Sequence, residues 1–268
     1  MAPKMNLVLG GDGLVGTALC DEIGQRGETA ISLDLKSGFD LRSNNLDRYS
    51  EADRVWFLAW DVGGWKYLSA KKAQQEIFLN NCQICCKVFA FLERTSIPFL
   101  FVSSQMAGGC GAYGDTKLLG EQWTTFLGGK IVRLWNVYGW ESPGVRSHAI
   151  PDFVCSGLAG EVICGSNGQE RRQFIYKSDC AKGLWEAFNA PGNCYDLSSG
   201  KWIRVGDIAQ KIGRYLNVPV RFAEKSGFER IVEPCNNIPG WTPKVALAEG
   251  IRAVIHDARG EQEEVGNF

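Results

Sequence analysis

Six short apolar runs mark the first two hundred residues, near 5–10, 29–34, 53–59, 97–103, 130–135 and 194–197. Each has the length of a strand, and unbroken rather than alternating apolar character suits a strand covered on both faces. Between them lie longer stretches with apolar residues at helical spacing, near 14–26, 67–94, 113–127 and 178–189. In the second of these, Cys82, Cys85, Val88, Phe89 and Leu92 fall on one face. Strand alternating with helix predicts an α/β fold, a Rossmann-type doubly wound parallel sheet. After Asn136 the pattern loosens into Gly/Ser/Pro-rich segments at 139–147 and 164–168, with helices near 205–216 and 244–256. That change predicts a first domain over 1–138, rejoined by about 174–198, and a smaller lobe over most of 139–268. The tail from Gly260 to Phe268 reads as solvated and frayed.

The first turn carries the strongest local signal, Asn6-Leu-Val-Leu-Gly10-Gly-Asp-Gly13-Leu14-Val15-Gly16. Gly10, Gly13 and Gly16 permit a tight turn, close backbone approach to a pyrophosphate and close packing of helix on strand. The helix that follows offers free N–H groups to an anion. Asp34 ends the second apolar run, where a carboxylate accepts hydrogen bonds from the adenine ribose diol and repels a 2′-phosphate. NAD is therefore expected over NADP, an inference tempered by Lys36 two residues on.

Tyr113 and Lys117 stand four apart in a helical stretch, so their side chains share a face one turn apart. An ammonium beside a phenol favours the phenolate, and Tyr113 is expected to ionise below the usual tyrosine pKa of about 10. Ser103 and Ser104 end the apolar run just upstream.

Together these features resemble the extended short-chain dehydrogenase/reductase family, the NAD-dependent epimerases and dehydratases of nucleotide sugars, over roughly residues 5–256. Phe57-Leu58-Ala59-Trp60 resembles the family's strand segment beside the cofactor, and Asn81 its asparagine in the next helix, with Asn80 as an alternative. Asp40, before Leu41, resembles the acid that contacts the adenine amino group. Asn136-Val-Tyr-Gly139 is similar to the substrate-binding N-x-Y-G. Arg171-Arg172-Gln-Phe-Ile-Tyr-Lys-Ser-Asp179 is similar to R-D-F-x-x-x-x-D, whose arginine binds the nucleotide diphosphate, a fitting task for a planar guanidinium. Gly240-Trp-Thr-Pro matches the C-terminal signature.

The resemblance implies a cofactor set of Gly10, Gly13, Leu14, Val15, Gly16, Asp34, Asp40, Leu41, Leu58, Ala59, Trp60, Asn81, Tyr113 and Lys117. It implies a nucleotide-diphosphate sugar held by Ser104, Asn136, His148 and Arg172, with the smaller lobe as a substrate-binding lobe. Tyr113 would take the proton of a sugar hydroxyl, Lys117 would hold the nicotinamide ribose, and Ser104 (or Ser103, one residue away) would bond the developing carbonyl oxygen. A homodimer through the helices near 67–94 and 113–127 is also implied.

Ser147-His148-Ala-Ile-Pro151 resembles the S-H-V-I-P of GDP-fucose synthases, where the histidine is an acid/base, and Asp61-Val-Gly-Gly64 resembles the V-G-G of that group and of GDP-mannose 3,5-epimerases. Those enzymes carry a cysteine after the serine, where this chain has Gln105-Met106, and Cys110 is out of register. Dehydratases place an Asp-Glu pair there. The expected activity is an NAD-dependent nucleotide-sugar epimerase, with a 4-ketoreductase or dehydratase, or a non-catalytic NAD-binding protein, as alternatives. For His148, catalysis, substrate binding and helix capping stay open; His256 reads as structural. Only nine positions separate Ser104 from Tyr113, fewer than in the family. That predicts a more open pocket, or one closed by another segment or subunit, with Trp60 and Trp65 as candidates to fill the space.

The net charge of −1 without a basic stripe argues against nucleic acid as a partner. No apolar run reaches bilayer length, and Met1-Ala-Pro-Lys lacks the apolar core of a signal peptide, so no membrane partner is expected. Ten cysteines then point to free thiols in a reducing, cytoplasmic setting. Cys82-Gln-Ile-Cys85-Cys86 lacks a second Cys/His pair at ligand spacing, so these thiols are expected to be buried and structural, and no metal is expected.

Overall fold

The computed structural model describes residues 3–265. In chain order the elements are β1 (Met5–Leu9), α1 (Leu14–Gln25), β2 (Thr29–Leu33), β3 (Arg54–Phe57), α2 (Trp65–Leu68), α3 (Gln74–Thr95), β4 (Phe99–Ser104), α4 (Gly111–Phe126) and β5 (Lys130–Leu134). They continue with β6 (Asn136–Tyr138), α5 (Ala149–Leu158), β7 (Val162–Cys164), β8 (Arg171–Tyr176), α6 (Lys177–Asn189), β9 (Cys194–Leu197), β10 (Trp202–Arg204), α7 (Val205–Leu216), β11 (Val220–Phe222) and α8 (Leu247–Val265).

Six parallel strands form the central sheet in the order β2-β1-β3-β4-β5-β9. The apolar runs are continuous because both faces are covered. Leu7, Leu9, Val55, Phe57, Phe99 and Phe101 pack with Ile77, Cys85, Val88, Phe89 and Leu92 of α3. The intervening residues Val8, Trp56, Leu100 and Val102 pack with Leu19 and Ile23 of α1 and Leu184 of α6. This alternation is the two-residue period of a strand, filled by apolar side chains in both phases. The chain runs outward from β1 in opposite directions, to β2 on one side and β3 on the other. Such a switch point leaves a crevice at the strands' C-terminal ends.

The smaller lobe contains the sheet β10-β8-β6 and the parallel pair β11-β7. Its core joins Ile150, Phe153 and Val154 of α5 to Ile208 and Ile212 of α7 and to Ile251 and Val254 of α8. Strand β8 pairs with β6 and β10 in this lobe while its Ile175 packs into the central core beside α1 and α6, and the chain rejoins the central sheet as a strand at β9.

Several local expectations need correction. The single helix expected over 67–94 is broken by a turn at 69–73 into α2 and α3. Cys86 is exposed, whereas Cys85 is buried, because one helical step carries the next side chain off the core face. Helix α5 fills a stretch where no element was expected. Helix α8 continues to Val265, and Glu261 accepts hydrogen bonds from Trp140 Nε1 and Ser142 Oγ at 2.8 Å each, so the tail is not frayed from Gly260. The last part of that tail, residues 266–268, and Met1 and Ala2 of the N-terminal segment lie outside the described residues. Among the described residues, no helix is long and apolar enough to cross a membrane. Nor does any group of three or more His, Cys, Asp or Glu side chains there form a metal site.

Candidate active site

The crevice beside β1 is built from backbone. Gly10 has φ +86°, a left-handed conformation, and a Cβ there would lie 2.7 Å from the Ala59 amide nitrogen at the end of β3. A Cβ on Gly16 would run into the Gly10 carbonyl, whereas Gly13 has only that carbonyl, at 3.4 Å, within reach. Gly13 is the N-cap of α1 and gives it no side-chain cap; no acidic residue lies in the first turn. The amides at the start of the helix, including Leu14, Val15 and Gly16, therefore have no intrahelical acceptor. This cradle fits a dinucleotide pyrophosphate, whose charge the helix terminus favours.

At the ribose end, Asp34 Oδ2 accepts the Asp12 amide at 3.1 Å and Oδ1 accepts the Lys36 amide at 2.8 Å. Lys36 Nζ donates to the Asp12 carbonyl at 2.9 Å, so its charge is drawn inward. Hydroxyls of Ser32 and Ser37 hold the Asp12 carboxyl below the usual carboxylate range. Two acidic side chains at this point suit a neutral diol better than a phosphate.

Other residues of the expected cofactor set are engaged elsewhere. The Asp40 carboxylate, expected to meet adenine, is clamped by Arg42 Nε and Nη2 at 2.8–3.2 Å, and these bonds lower its pKa. Leu41 beside it is buried. Asn81 is fully buried, accepts the Asp61 amide at 2.6 Å and donates to Asp61 O and Thr116 Oγ1, which ties the end of β3 to α4. Asn80 instead donates to Asp61 Oδ2 at 2.7 Å. The Leu58 and Ala59 amides both bond Leu9 O, at 2.9 and 2.7 Å. Trp60 bonds Thr116 Oγ1 and lies under the Lys117 ammonium, 4.2 Å from Nζ to the ring centre.

Ser104 ends β4, and its Oγ accepts the Met106 amide at 3.1 Å. Burial pushes the Tyr113 pKa up to about 12, only partly offset by the nearby Ser104 hydroxyl, which favours the phenolate. Lys117 is 3% exposed. Its Nζ donates to Val102 O at 2.6 Å, and burial brings its pKa down to about 7. The sequence expectation that Lys117 lowers the Tyr113 pKa is therefore not met, because both groups are desolvated and the ammonium is aimed at a carbonyl. Ser103 takes no part here; its hydroxyl donates to Glu121 Oε1 at 2.6 Å, and Glu121 also pairs with Arg133.

At the opposite end, Arg172 donates to Arg171 O at 2.8 Å and to Phe228 O, and burial holds its pKa below the usual arginine range. Asn136 Oδ1 and Gln105 Oε1 are buried acceptors without a partner. So are two donors, Gln173 Nε2 and Arg230 Nη1. Unpaired buried polar atoms are costly, so each of these is open to a hydrogen bond with water or with a bound group. His148 caps α5 with its backbone only; Nδ1 lies 2.6 Å from Glu141 Oε1, which also accepts the His148 amide at 2.7 Å. Burial works to raise the Glu141 pKa, yet the His148 bonds and the Lys36 charge hold it below its ordinary value. His256 is a surface residue, 90% exposed beside Asp257, and supports no core.

Sequence reasoning missed three participants. Arg230 and Glu141 lie in no motif, and Asp61 was noticed only as part of a glycine turn. Asp61 is a buried acceptor for Tyr67 at 2.9 Å and pairs with Arg146. The following Gly63 and Gly64 let the Arg146–Ser147 backbone pack directly against that turn, which is how His148 arrives there. A spacing of 85 residues between Asp61 and Arg146 leaves no local signal.

The fold described above has counterparts among known proteins. A putative UDP-glucose 4-epimerase of Methanocaldococcus jannaschii is 26% identical over 160 residues, covering 54% of this chain and 52% of that protein. UDP-glucuronic acid decarboxylase 3 of Arabidopsis thaliana is 24% identical over 140 residues, 48% of this chain and 41% of its own. These matches span about half the length of each relative. Among solved structures, an epimerase of Methanothermobacter thermautotrophicus superposes with a TM-score of 0.83 at 20% identity, covering 99% of this chain and 95% of that one. TunA, an NAD-dependent NDP-hexosamine 5,6-dehydratase of tunicamycin biosynthesis, gives a TM-score of 0.83 at 18% identity, with 96% and 98% covered. At these identities the two structures establish the shared fold. Residues 6–196 match the NAD dependent epimerase/dehydratase family, and the chain belongs to it.

Proposed function

We propose that this protein is an NAD-dependent nucleotide-sugar epimerase that oxidises its substrate transiently, with Tyr113 as the acid/base. The observation that carries this reading is the grouping of Ser104, Tyr113 and Lys117, all buried, with Lys117 Nζ 5.9 Å from the Tyr113 ring centre, in a fold whose first turn fits a dinucleotide. When bound, NAD supplies a reversible acceptor for the hydride of a sugar carbinol. Leu14, Val15 and Gly16 would hold its pyrophosphate and Asp34 its adenine ribose. Lys117 has three N–H donors and one protein acceptor, so two remain for the nicotinamide ribose hydroxyls.

At rest Tyr113 is a phenol, and it becomes the base once its own proton has passed to water. The nearby Ser104 hydroxyl favours that phenolate, and a fully charged Lys117 would add to the effect. The phenolate takes the hydroxyl proton as the sugar is oxidised and returns it on reduction from the other face. Arg172 and Arg230 are the guanidinium groups for the diphosphate, and the unpaired Gln105 and Asn136 carbonyls suit sugar hydroxyl donors. His148, held by Glu141, is a substrate-binding group or a second acid/base. Gln105-Met106 offers no carboxyl pair for dehydration, which favours epimerisation over the dehydratase alternative. The named activity of the Methanocaldococcus relative supports the same reading.

The test is incubation of the NAD-loaded protein with UDP-glucose, UDP-N-acetylglucosamine and UDP-glucuronic acid, with products followed by proton NMR. An epimer formed without net reduction of cofactor is expected. A dehydrated keto-sugar as product would replace this reading by the dehydratase, and tighter NADPH than NADH binding would reverse the cofactor assignment. The ten free thiols suit a reducing compartment such as the cytoplasm. Phe78 and Leu79 on α3 and Leu118, Trp123 and Phe126 on α4 are exposed, which suits a homodimer through these helices; sedimentation as a monomer at micromolar concentration would count against it.

A further inference from the structure

The link between Ser104 and Tyr113 has only eight residues, and a segment distant in sequence reaches it through Arg230. Between β11 and α8 the chain runs from Ala223 to Asn236 with neither helix nor strand. Its first end is fixed to the smaller lobe, where the Asn167 amide bonds Lys225 O at 2.8 Å. The far end returns to the central sheet, where Asp196 Oδ2 accepts the amides of Cys235 and Asn236 at 3.1 and 3.3 Å.

Between these anchors the strap touches the walls of the proposed site in turn. Phe228 stacks on Trp65 at 4.0 Å between ring centres and 12° between planes. The Phe228 carbonyl accepts from Arg172, and Glu229 pairs with Arg171 at 3.1 Å. Arg230 Nη1 then rests against Gly109 of the short link, 2.9 Å from where a Cβ would stand. On the other side, Gln74 closes the circuit by accepting the Ala112 amide at 3.0 Å and donating to Leu68 O at 2.7 Å, one turn from Trp65. Strap, short link and α2 thus form a closed ring. Trp65 also follows Gly64 directly, and Gly64 packs against Ser147 and His148.

We propose that the stacked pair Trp65 and Phe228 is the specificity-determining wall of the sugar site, retaining the oxidised sugar and limiting its size in place of a longer loop. The proposal rests on the epimerase reading. Oxidation takes a hydride from the carbinol carbon, passed to the nicotinamide, and a proton from its oxygen, passed to Tyr113. Neither can be returned to a ketone that has left, so an epimerase that works by this route must hold its intermediate until it is reduced. The stacked pair holds two separate segments together, and an aromatic pair corresponds to about a two- to tenfold bias toward the closed arrangement. Both residues lie outside the acid/base machinery, so their loss leaves the oxidation step in place.

The experiment compares wild type, Trp65→Ala, Phe228→Ala and the conservative Trp65→Phe, each loaded with NAD⁺. Amide hydrogen exchange of residues 226–234 in the free proteins reads the ring, and faster exchange is expected in both alanine variants but not in Trp65→Phe. With the member of the UDP-sugar panel that wild type epimerises, the alanine variants should accumulate 340 nm absorbance and release keto-sugar detectable by mass spectrometry. Unchanged strap exchange in both alanine variants overturns the wall. Faster exchange without added 340 nm absorbance or free ketone overturns its retaining role. A wild type that epimerises none of the three sugars overturns the epimerase reading instead, and the exchange measurement still decides whether the ring is a closure.

Discussion

The two ends of the crevice are made in opposite ways. At the pyrophosphate end the groups that would meet a ligand are backbone amides, presented by one turn of about seven residues in which Gly10 and Gly16 leave no room for a side chain. At the sugar end they are side chains from distant segments: Gln105 after β4, Asn136 on β6, Arg172 on β8 and Arg230 in the strap, three of them with unpaired buried atoms. A backbone site recognises what is common to all dinucleotides and tolerates little change. A side-chain site can be altered one residue at a time. Within this family, chemistry at the cofactor is thus separable from the choice of sugar, a division seen in folds that host many functions.

The largest effect should come where the two ends meet. Tyr113→Phe removes the proton-transfer group and little contact area, so kcat should fall by about 10²–10⁴-fold, while NAD and UDP affinities by calorimetry stay near wild type. Full activity in this variant would end the catalytic assignment. Next is Gly16→Ala, which places a methyl group against the Gly10 carbonyl. Overpacking of this kind costs about 1–3 kcal/mol, and both thermal stability and NAD binding should drop together. If UDP affinity fell as strongly as NAD affinity, the separation of the two ends would be wrong.

A side-chain change at the sugar end should be gentler and one-sided. Arg230→Ala should raise KM by about tenfold, the scale of a hydrogen bond to a charged group, with kcat and NAD binding little changed. A further effect is on stability and depends on pH. Folded Lys117 titrates near 7, against an ordinary lysine value of 10.5, because it is buried. Between those values the unfolded chain binds more protons than the folded one, so stability rises with pH across that window, and below it the full cost of the buried charge is present. Lys117→Met should therefore unfold at a higher temperature than wild type at pH 6, with the advantage shrinking as pH rises past 7 toward 10, even as activity is lost. A pH-independent difference would place the lysine outside this account.

The contrast between the ends also explains what could be read from the sequence. The central strands lie within a few residues of the apolar runs, because strands buried on both faces need apolar side chains in every position and little else in the chain has that need. Gly10, Gly13 and Gly16 were legible for the same reason: a close backbone approach has one solution. The smaller lobe was read only as two helices and loose connections. Its strands β6, β7, β10 and β11 are three residues each, too short to show a period, and α5 starts within a segment of turn-forming residues. Arg230 and Glu141 were invisible because neither belongs to a local pattern; what gives each a role is a partner that the fold brings to it. Arg172 was noticed, but its engagement with Phe228 O could not be, since 56 residues separate them.

The position after the tyrosine is a glycine whose missing side chain is already filled by the carbonyls of Gly109 and Met106, while the Gly108 amide bonds Gly114 O at 3.0 Å. The short link is thus wedged into the first turn of α4 as a splint. Grafting a longer loop from a relative at this point would not add a flap to an unchanged frame. It would remove the splint, and the turn that carries Tyr113 would have to find a new register against β4. A longer link and a different residue at 114 would therefore have to be introduced together, and with the short link in place any cover for the site has to come from another segment.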